Sequence, residues 1–393
     1  MKPIPYARQS ISATDISAVV EVLQSDWLTQ GPHVAQFENA VAEYCGVRYA
    51  VAVNSATSAL HIACLAAGLG SGDLLWTSPN TFVASANCAL YCGADVDFVD
   101  IDSNTYNMST EELERKFAAI ANNKGRLPKV VVPVHFSGQS CDMENIAKVA
   151  RKNGALIIED AAHAIGGKYQ GLPVGSCQYS DMTVFSFHPA KIITTGEGGM
   201  VVTNQPELYD RLMRLRTHGI TREAENMHGE DHGPWYYQQV DLGFNYRMTD
   251  IQAVLGTSQL TRIDDFVARR AALASRYNDS LQDMPIVLPH QSPDVVSAWH
   301  LYVIRIRKEC SKTRRQIFEQ LRQAGIWVNV HYIPVHTQPY YQRLGFKQGD
   351  FLASEQHYEE AISLPLYYSL TESEQDYVVK TLHEIMRENV QER

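Results

Sequence analysis

Between about residue 50 and residue 205, short apolar segments alternate with segments of helical periodicity, and this alternation constrains the fold more than any other feature. Strands of this length separated by helices are typical of a mostly parallel sheet with helices on both faces. The sequence therefore predicts an α/β fold. The helices are predicted at Ser58–Ala67, Ala84–Tyr91 and Glu144–Asn153, and the strands at Tyr49–Val53, Asp73–Thr77, Val96–Asp100, Val130–His135, Ala155–Glu159, Met182–Phe187 and Met200–Thr203.

The rest of the 393-residue chain predicts a smaller α+β domain. We place a large domain at residues 11–250 and a small domain at residues 251–393, with residues 1–10 packing near the active site. The polar segment Glu223–Gly233 is expected to be a mobile loop. In the small domain we predict one long bridging helix at Thr249–Leu281, strands at His300–Ile306 and Ile326–His331, and helices at Lys312–Ala324 and Glu372–Glu388, the last opened by a Thr371/Glu374 capping box.

Composition excludes several classes of protein. With 34 basic and 44 acidic residues the net charge is −10, so general binding to nucleic acid is not expected, although a local pocket for a small anion is compatible with it. No signal peptide or membrane span is predicted. Seven cysteines without paired spacing indicate reduced thiols, and Cys88 and Cys92 are expected to be packed thiols rather than part of a zinc site. We therefore expect a cytoplasmic protein with no metal, nucleic-acid or membrane partner.

Four unusual segments follow predicted strands, at the edge where open parallel sheets bind ligands. The first is Asn54–Ser58, whose small residues and free N–H groups suit a phosphate, although a plain helix N-cap would have the same sequence.

The second segment is Glu159–His163, in which two carboxylates end an apolar strand and need a cation. That cation could be a protonated pyridine ring, a metal ion or a structural ion-pair partner. With a pyridine cofactor, His163 could hydrogen-bond the ring oxygen.

The third segment contains a lysine among predicted strand ends. Ser186 ends a strand and could bind a phosphate, and Lys191 follows on a loop that leads to glycines 196, 198 and 199. A lysine that loses solvation has a lowered pKa, which yields the neutral amine that attacks a carbonyl group. Lys191 is therefore the candidate nucleophile.

The fourth segment is Gly243–Met248. Asn245 and Arg247 offer hydrogen-bond donors suited to phosphate oxygens. A helix-entry loop with a surface ion pair would have the same residues. The segment is therefore a candidate binding loop.

Several long stretches carry a family resemblance that covers nearly the whole chain. The chain resembles the DegT/DnrJ/EryC1/StrS sugar aminotransferases in the ordered stretches "WLTQGPHVAQFENA", "TFVASANCAL", "IIEDAAHAIG", "FSFHPAKIITTGEGGMVVTN", "GFNYRMTDIQAVLG" and "SLPLYYSLTESEQDYVV". This resemblance implies a fold-type-I transferase whose large domain binds pyridoxal 5′-phosphate. The stretches "HPAKIITTGEGG", "RTHGITR" and "HYIPV" are most similar to members that make UDP-4-amino-4,6-dideoxy-N-acetyl-β-L-altrosamine on the pathway to pseudaminic acid.

The resemblance implies roles for individual residues. Lys191 would form the Schiff base with the cofactor, Asp160 would pair with the pyridinium nitrogen, and Phe82 would stack on the ring. The cofactor phosphate would be bound by backbone groups around Ala56 and Thr57, by the hydroxyl of Ser186, and by Asn245 of the partner subunit. The resemblance therefore implies a homodimer with shared active sites.

The sugar nucleotide brings a second pair of phosphates, which an acidic chain must bind through local donors. Trp27 could offer a flat face to a uracil or sugar ring, or could be a core anchor. His331 could orient the sugar or relay a proton near neutral pH, or could simply be a hydrogen-bonded histidine that ends a strand. The resemblance, with Arg247 added for its charge, gives the substrate residues Tyr6, Asp26, Trp27, Leu28, Thr29, Arg247, His331, Tyr332, Ile333 and Pro334.

The reaction that the resemblance implies is a ping-pong transamination from L-glutamate to C4 of a UDP-linked 4-keto-6-deoxy-N-acetylhexosamine, UDP-2-acetamido-2,6-dideoxy-β-L-arabino-hex-4-ulose. Alternatives are another nucleotide-sugar 4-aminotransferase, of the GDP-perosamine or UDP-bacillosamine type, a dehydratase on the same fold, and a non-catalytic regulator. Dehydratases of this family lack the Schiff-base lysine, so Lys191 argues against that alternative. The complete set of Lys191, Asp160 and Ser186 argues against a regulator.

Overall fold

A seven-stranded sheet forms the centre of the computed structural model, which describes residues 3–123, 125–230 and 232–387. All neighbouring strands in this sheet are parallel except the two pairs that involve Gly199–Thr203. The predicted mostly parallel sheet is therefore confirmed. From edge to edge, the strands are Tyr49–Val53, Gly199–Thr203, Met182–Ser186, Leu156–Asp160, Val130–Val132, Leu74–Thr77 and Asp95–Phe98.

Apolar side chains cover both faces of this sheet. Because successive residues of a strand point to opposite faces, Val51 joins the core cluster that contains Leu60, whereas Ala52 joins the cluster that contains Phe37. The sheet is therefore buried on both sides, as its nearly continuous apolar strands predict. The helices of this part are Ala13–Leu23, Pro32–Cys45, Ala56–Ala66, Ala84–Tyr91, Thr110–Asn123, Met143–Lys152 and Pro206–Arg216.

The helix after the first strand of the sheet begins at Ala56, two residues before its predicted start. Ser55 is the N-cap, and its side chain accepts a hydrogen bond from the backbone N–H of Ser58. This cap places Ala56 and Thr57 in the first helical turn, where backbone N–H groups have no partner within the helix.

The carboxyl-terminal part forms a second, smaller core around an antiparallel sheet of Ile286–Val287, Tyr302–Ile306 and Ala361–Leu364. The amino-terminal strand Ile4–Pro5 pairs in parallel with Ile326–Trp327 and so joins this part of the molecule. The helices here are Asp250–Leu260, Ile263–Leu281, Arg314–Gln323, Pro339–Gln342, Leu352–Glu360 and Glu372–Arg387. The capping box at Thr371 and Glu374 is confirmed, whereas the domain boundary at residue 250 stays a prediction.

The predicted single helix Thr249–Leu281 is wrong, because two helices meet at Thr261 and Arg262. Arg262 leaves the helical conformation, with φ −116° and ψ 10°. Its guanidinium group pairs with the buried carboxylate of Asp15 on the amino-terminal helix. This tertiary ion pair accompanies a break that the apolar periodicity could not reveal.

Several predicted strands are too long, two of them by three residues or more. The strand at Val130 ends at Val132, because the next residue, Pro133, has no N–H group for the ladder. The strand at Ile326 ends at Trp327 rather than at His331. Two residues further on, the side-chain oxygen of Asn329 accepts a hydrogen bond from the backbone N–H of Val330. Such a local bond competes with strand pairing.

Parts of several predictions lie outside the described residues. These are residues 1 and 2 of the amino-terminal segment, residues 124 and 231 of the large domain, and residues 388–393 of the small domain; residue 231 belongs to the predicted loop and residue 388 to the predicted last helix. The mobility of Glu223–Gly233 stays a prediction, and in its described part His228 exchanges two hydrogen bonds with the side chain of Gln238. Among the described helices, none has the length and apolarity required to cross a membrane.

Candidate active site

A cavity of about 560 Å³ lies at the carboxyl ends of the strands Leu156–Asp160 and Met182–Ser186. Three of the four segments selected from the sequence meet there, whereas Gly243–Met248 does not line it. The opposite wall comes from Tyr6, His300 and residues 329–332. The predicted residues that line this cavity are Tyr6, Ala56, Thr57, Phe82, Asp160, His163, Ser186, Lys191, His331 and Tyr332.

Lys191 lies on the loop between the strands Met182–Ser186 and Gly199–Thr203. Its backbone N–H donates to the carbonyl oxygen of His188, and its amine has no hydrogen-bond partner among the described residues. Burial lowers the pKa of Lys191 to about 8, although the carboxylate of Asp160 acts in the opposite direction. The amine is therefore far more often neutral, and nucleophilic, than that of a surface lysine.

Asp160 and Glu159 point to opposite faces of the sheet because they are consecutive in one strand. Glu159 is bonded to the Nε2 atom of His135 at 2.5 Å and accepts a second hydrogen bond from Ser180. Burial alone would raise the pKa of Glu159, but its bond to His135 contributes to a net lowering. Of the two carboxylates, only Asp160 faces the cavity, so the expected cation partner concerns this residue alone.

Asp160 accepts hydrogen bonds from the hydroxyl of Ser85 at 2.6 Å and from the backbone N–H of Ala162 at 3.1 Å. These bonds orient a buried carboxylate that has no arginine or lysine ion-pair partner among the described residues. Such a group suits a cationic ligand atom, and a protonated pyridine nitrogen meets that requirement.

The cavity also contains an anion cradle made largely of backbone. The N–H groups of Ala56 and Thr57 have no acceptor among the described residues, and they lie at the positive end of a helix. The hydroxyl of Ser186 is in the same cavity. Gly199 packs so closely that a β-carbon there would lie 2.5 Å from the backbone of Ser55. The glycine therefore allows the strand to support this helix end directly.

His163 is held as a neutral imidazole. The backbone N–H of Ser137 donates to its Nδ1 atom, so the proton is on Nε2, which lies 3.1 Å from the hydroxyl of Tyr332. Burial, with smaller effects from Lys191 and His331, holds the pKa of His163 well below its usual value. Its Nε2–H group is therefore suited to donate to an oxygen in the cavity.

His331 is bonded to the hydroxyl of Ser363 at 2.7 Å, and its ring lies 5.3 Å from that of Tyr6. Burial lowers the pKa of His331 to about 3, with Lys191 contributing. A neutral imidazole with so low a pKa is a poor proton relay near neutral pH. This environment therefore favours the orienting role for His331 over the relay suggested by its sequence.

Eight predicted residues lie outside the cavity formed by this chain, and their roles stay predictions. The backbone carbonyl of Leu28 accepts from Asp250, which places this segment beside the helix that begins there. Trp27 is 55% exposed, so the core-anchor alternative is wrong for it. These eight residues are Asp26, Trp27, Leu28, Thr29, Asn245, Arg247, Ile333 and Pro334.

Sequence reasoning missed Ser85, His300 and Asn329, which also line the cavity. Ser85 stands one helical turn beyond Phe82, a spacing that could have shown that both face the same side. His300 and Asn329 come from loops of the smaller part of the molecule, and no local pattern marks them. Within the described ranges, no group of three or more His, Cys, Asp or Glu side chains is arranged to hold a metal ion.

These groups fit the expected pyridoxal phosphate. They provide an amine of lowered pKa at Lys191, an oriented carboxylate at Asp160 and a backbone cradle suited to a phosphate. Phe82 is 60% exposed and leaves an apolar ring available in the same cavity. No other cavity-lining residue offers a lysine amine within the described chain.

Known proteins resemble this chain over nearly its full length. The profile of the DegT/DnrJ/EryC1/StrS aminotransferase family matches residues 9–383. The spore coat polysaccharide biosynthesis protein SpsC of Bacillus subtilis is 41% identical over 98% of this chain and 97% of its own length. The structure of Helicobacter pylori PseC, an aminotransferase involved in the biosynthesis of pseudoaminic acid, is also similar. It matches with a TM-score of 0.89 and 31% sequence identity, and the match covers 98% of this chain and 100% of PseC. The PLP form of the sugar aminotransferase Spr1654 from Streptococcus pneumoniae matches with the same TM-score and identity. This match covers 98% of this chain and 99% of Spr1654.

Proposed function

The chain belongs to the DegT/DnrJ/EryC1/StrS aminotransferase family, and from this premise we propose that it transfers the amino group of L-glutamate to C4 of a UDP-linked 4-keto-6-deoxy-N-acetylhexosamine. Its family and its structural neighbours make it a pyridoxal-phosphate-dependent sugar aminotransferase of the predicted fold. The nucleotide, the sugar and the amino donor are the proposal. The likeness to PseC over nearly the whole chain supports a place on the pathway to pseudaminic acid.

The cavity chemistry supports this proposal through one central observation, the unpartnered amine of Lys191 beside the oriented carboxylate of Asp160. When bound, pyridoxal phosphate supplies an aldehyde that takes up the amino group and a ring that accepts electrons from the reacting carbon. We assign Lys191 to hold the cofactor and Asp160 to keep its ring nitrogen protonated. Phe82 would cover the ring.

Residues around this pair would fix the cofactor's position. The N–H groups of Ala56 and Thr57, with the hydroxyl of Ser186, would bind the phosphate. The Nε2–H group of His163 would donate to the ring oxygen. Each of these groups already lies in the same cavity, so binding requires no large rearrangement of the backbone.

Once the substrate amine replaces it on the cofactor, Lys191 would move a proton at the reacting carbon. A general base works best when its pKa lies near the working pH. The pKa of Lys191, lowered by burial to about 8, satisfies this condition, whereas an ordinary lysine would remain protonated. Within each half-reaction Lys191 would act first as a base and then as an acid, since the proton it removes from one carbon must be delivered to another.

We also propose that the enzyme is a homodimer with shared sites. Asn245 is exposed and outside the cavity of its own chain, as are Trp27 and Leu28. Exposed polar and aromatic groups outside the cavity are available to a second copy. A nucleotide-sugar substrate also agrees with the predicted cytoplasmic location, which stays a prediction.

A substrate panel tests the proposal. The holoenzyme is incubated with L-glutamate and UDP-, GDP- or dTDP-linked 4-keto sugars, and the products are identified by mass and by NMR. We expect amination of the UDP-linked N-acetylhexosamine at C4. Efficient amination of a GDP-linked sugar alone would replace this proposal with an enzyme of the perosamine type, and Lys191→Ala serves as the inactive control.

A further inference from the structure

His300 lines the active-site cavity without a hydrogen-bond partner for either ring nitrogen among the described residues. Its side chain is buried, with 3% of the residue exposed, and its Nδ1 atom is fully enclosed. Buried polar groups in native proteins are nearly always hydrogen-bonded. A bound ligand is therefore the natural source of the partner that the Nε2 atom lacks.

Three other imidazoles line the cavity, and each has a protein partner. His188 accepts at Nδ1 from the backbone N–H of Ala190 at 3.2 Å. His163 accepts at Nδ1 from the backbone of Ser137, and its Nε2 atom lies 3.1 Å from the hydroxyl of Tyr332. His331 is bonded at Nδ1 to Ser363 and has Asn329 beside Nε2 at 3.4 Å. Among these four rings, His300 alone lacks a protein partner within the described residues for both nitrogens, and a ligand can reach its Nε2 atom but not the enclosed Nδ1 atom.

The backbone that carries His300 is held from two sides. The buried guanidinium of Arg270 donates to the carbonyl oxygens of Trp299, at 3.2 Å, and of His300, at 3.3 Å. On the other side, the hydroxyl of Ser137 donates to the carbonyl oxygen of Leu301 at 2.6 Å. A ring whose backbone is fixed so firmly presents its nitrogens in a preorganised position.

His300 also stands beside the reacting end of the site. Its ring centroid lies 4.3 Å from that of His163. Burial holds the pKa of His300 well below its usual value, and both His163 and Lys191 are near enough to add to this effect. His300 is therefore a neutral imidazole close to the amine that we assign to the chemistry, with one nitrogen to donate and one to accept.

We propose that His300 hydrogen-bonds the oxygen-bearing group next to the carbon that gives or receives the amino group. This inference rests on the proposed function, since it takes both substrates from it. In the amino donor that group is the α-carboxylate, and in the 4-keto sugar it is the hydroxyl on the neighbouring carbon. Both present an oxygen two bonds from the reacting carbon, on the carbon next to it, and a neutral imidazole can bond either.

The test compares three variants of the holoenzyme. His300→Phe keeps an aromatic ring and removes both nitrogens, His300→Gln carries an amide to about the position of Nε2, and His300→Asn carries it only to that of Nδ1. We expect the Phe variant to raise the KM of the affected substrate by about tenfold or more, with the Asn variant similar. The Gln variant should recover much of this loss.

Separate half-reactions identify the ligand. Single-turnover spectra with L-glutamate report the donor half-reaction, and the amino-loaded enzyme with the keto sugar reports the acceptor half-reaction. A loss confined to the first, with weaker binding of glutarate as an unreactive dicarboxylate probe, assigns the carboxylate. A loss confined to the second assigns the sugar hydroxyl.

A matched control separates binding from packing. His336 is also buried with an unpartnered Nδ1 atom, but it does not line the cavity, so His336→Phe should lower thermal stability without changing KM. The proposal is overturned if His300→Phe matches wild type in both half-reactions, or if the Gln and Asn variants behave alike. Should wild type convert neither glutamate nor any sugar of the panel, the proposed function itself fails, which is a different outcome.

Discussion

The hydroxyl of Ser85 donates a 2.6 Å hydrogen bond to the Oδ2 atom of Asp160. Ser85 is buried in the first turn of the helix Ala84–Tyr91, with the hydroxyl of Thr81 2.7 Å away. A hydrogen bond to a charged group contributes about 1.5–3 kcal/mol. Ser85 therefore fixes the orientation of the carboxylate that we assign to the cofactor's ring nitrogen.

Replacing this serine tests the assignment. Ser85→Ala should lower kcat by about tenfold, because Asp160 loses an orienting donor. The control is Ser180→Ala, which removes the matching hydrogen bond to Glu159 on the opposite face. Steady-state kinetics should show the loss for Ser85 and a change of stability alone for Ser180, and equal effects on kcat would contradict the idea.

Lys191→Ala should abolish turnover, by about 10³-fold or more, because the residue supplies acid–base chemistry rather than packing. The fold should survive by circular dichroism, and the visible band of the covalently held cofactor should vanish. The exposed residue Lys168 provides the control variant, Lys168→Ala.

The rate of cofactor loading should depend on pH. In wild-type apoenzyme the neutral fraction of an amine with a pKa of about 8 rises as pH rises through 8. Cofactor loading, followed by absorbance, should therefore slow by about tenfold for each pH unit below that point.

Asp160→Asn should fail although it preserves the shape of the side chain. Without the negative charge the pKa of the ring nitrogen falls, and each unit below the working pH costs about tenfold in the protonated fraction. Glu159→Gln, one residue earlier and facing the other side of the sheet, should lose stability rather than rate. Kinetics of both purified variants test this, and an Asp160→Asn enzyme with most of its rate would remove Asp160 from this role.

Mixed dimers test the shared site. Lys191→Ala and Asn245→Ala are each expected to be inactive or weak alone. If Asn245 of the partner subunit completes each site, refolding the two together should leave one intact site in every hybrid dimer and restore up to about a quarter of wild-type activity. No recovery in a mixture shown by mass spectrometry to contain hybrids would place Asn245 elsewhere.

Arg247→Ala and His331→Ala should weaken the sugar half-reaction by about tenfold or more. The glutamate half-reaction should stay largely intact, because neither residue is assigned to the cofactor. Stopped-flow spectra of each half-reaction give the measurement. Equal impairment with glutamate alone would mean that these residues serve the cofactor rather than the sugar.

Residues of the large sheet could be predicted from the sequence because local patterns fix them. Asp160, Ser186 and Lys191 follow apolar strands, and strands of one sheet bring their ends together whatever the rest of the molecule does. The orientation of Glu159 away from the cavity also follows from the alternation of a strand. The exact start of the helix Ala56–Ala66 required the structure, which shows Ser55 rather than a later residue as its N-cap.

The opposite wall could not be predicted in the same way. The backbone at His300 is held by Arg270, which lies 30 residues earlier in the chain, and by the hydrogen bond from Ser137 to the neighbouring Leu301. The break at Arg262 is accompanied by an ion pair with Asp15, which is 247 residues away in sequence. Such long-range polar contacts leave no periodic signal in the residues that make them.

Gly199 has a consequence for how enzymes of this plan can diversify. The cradle that we assign to the phosphate consists largely of main chain, and Gly199 leaves no room for a β-carbon where the strand touches Ser55 at the helix end. Side-chain substitutions change a main-chain surface very little, so they offer few ways to adapt the cradle to a new acceptor sugar. The far wall, where Tyr6, Asn329 and Tyr332 present side chains from loops, is free to vary. Engineering of acceptor range should therefore begin with those three positions and leave the cradle untouched.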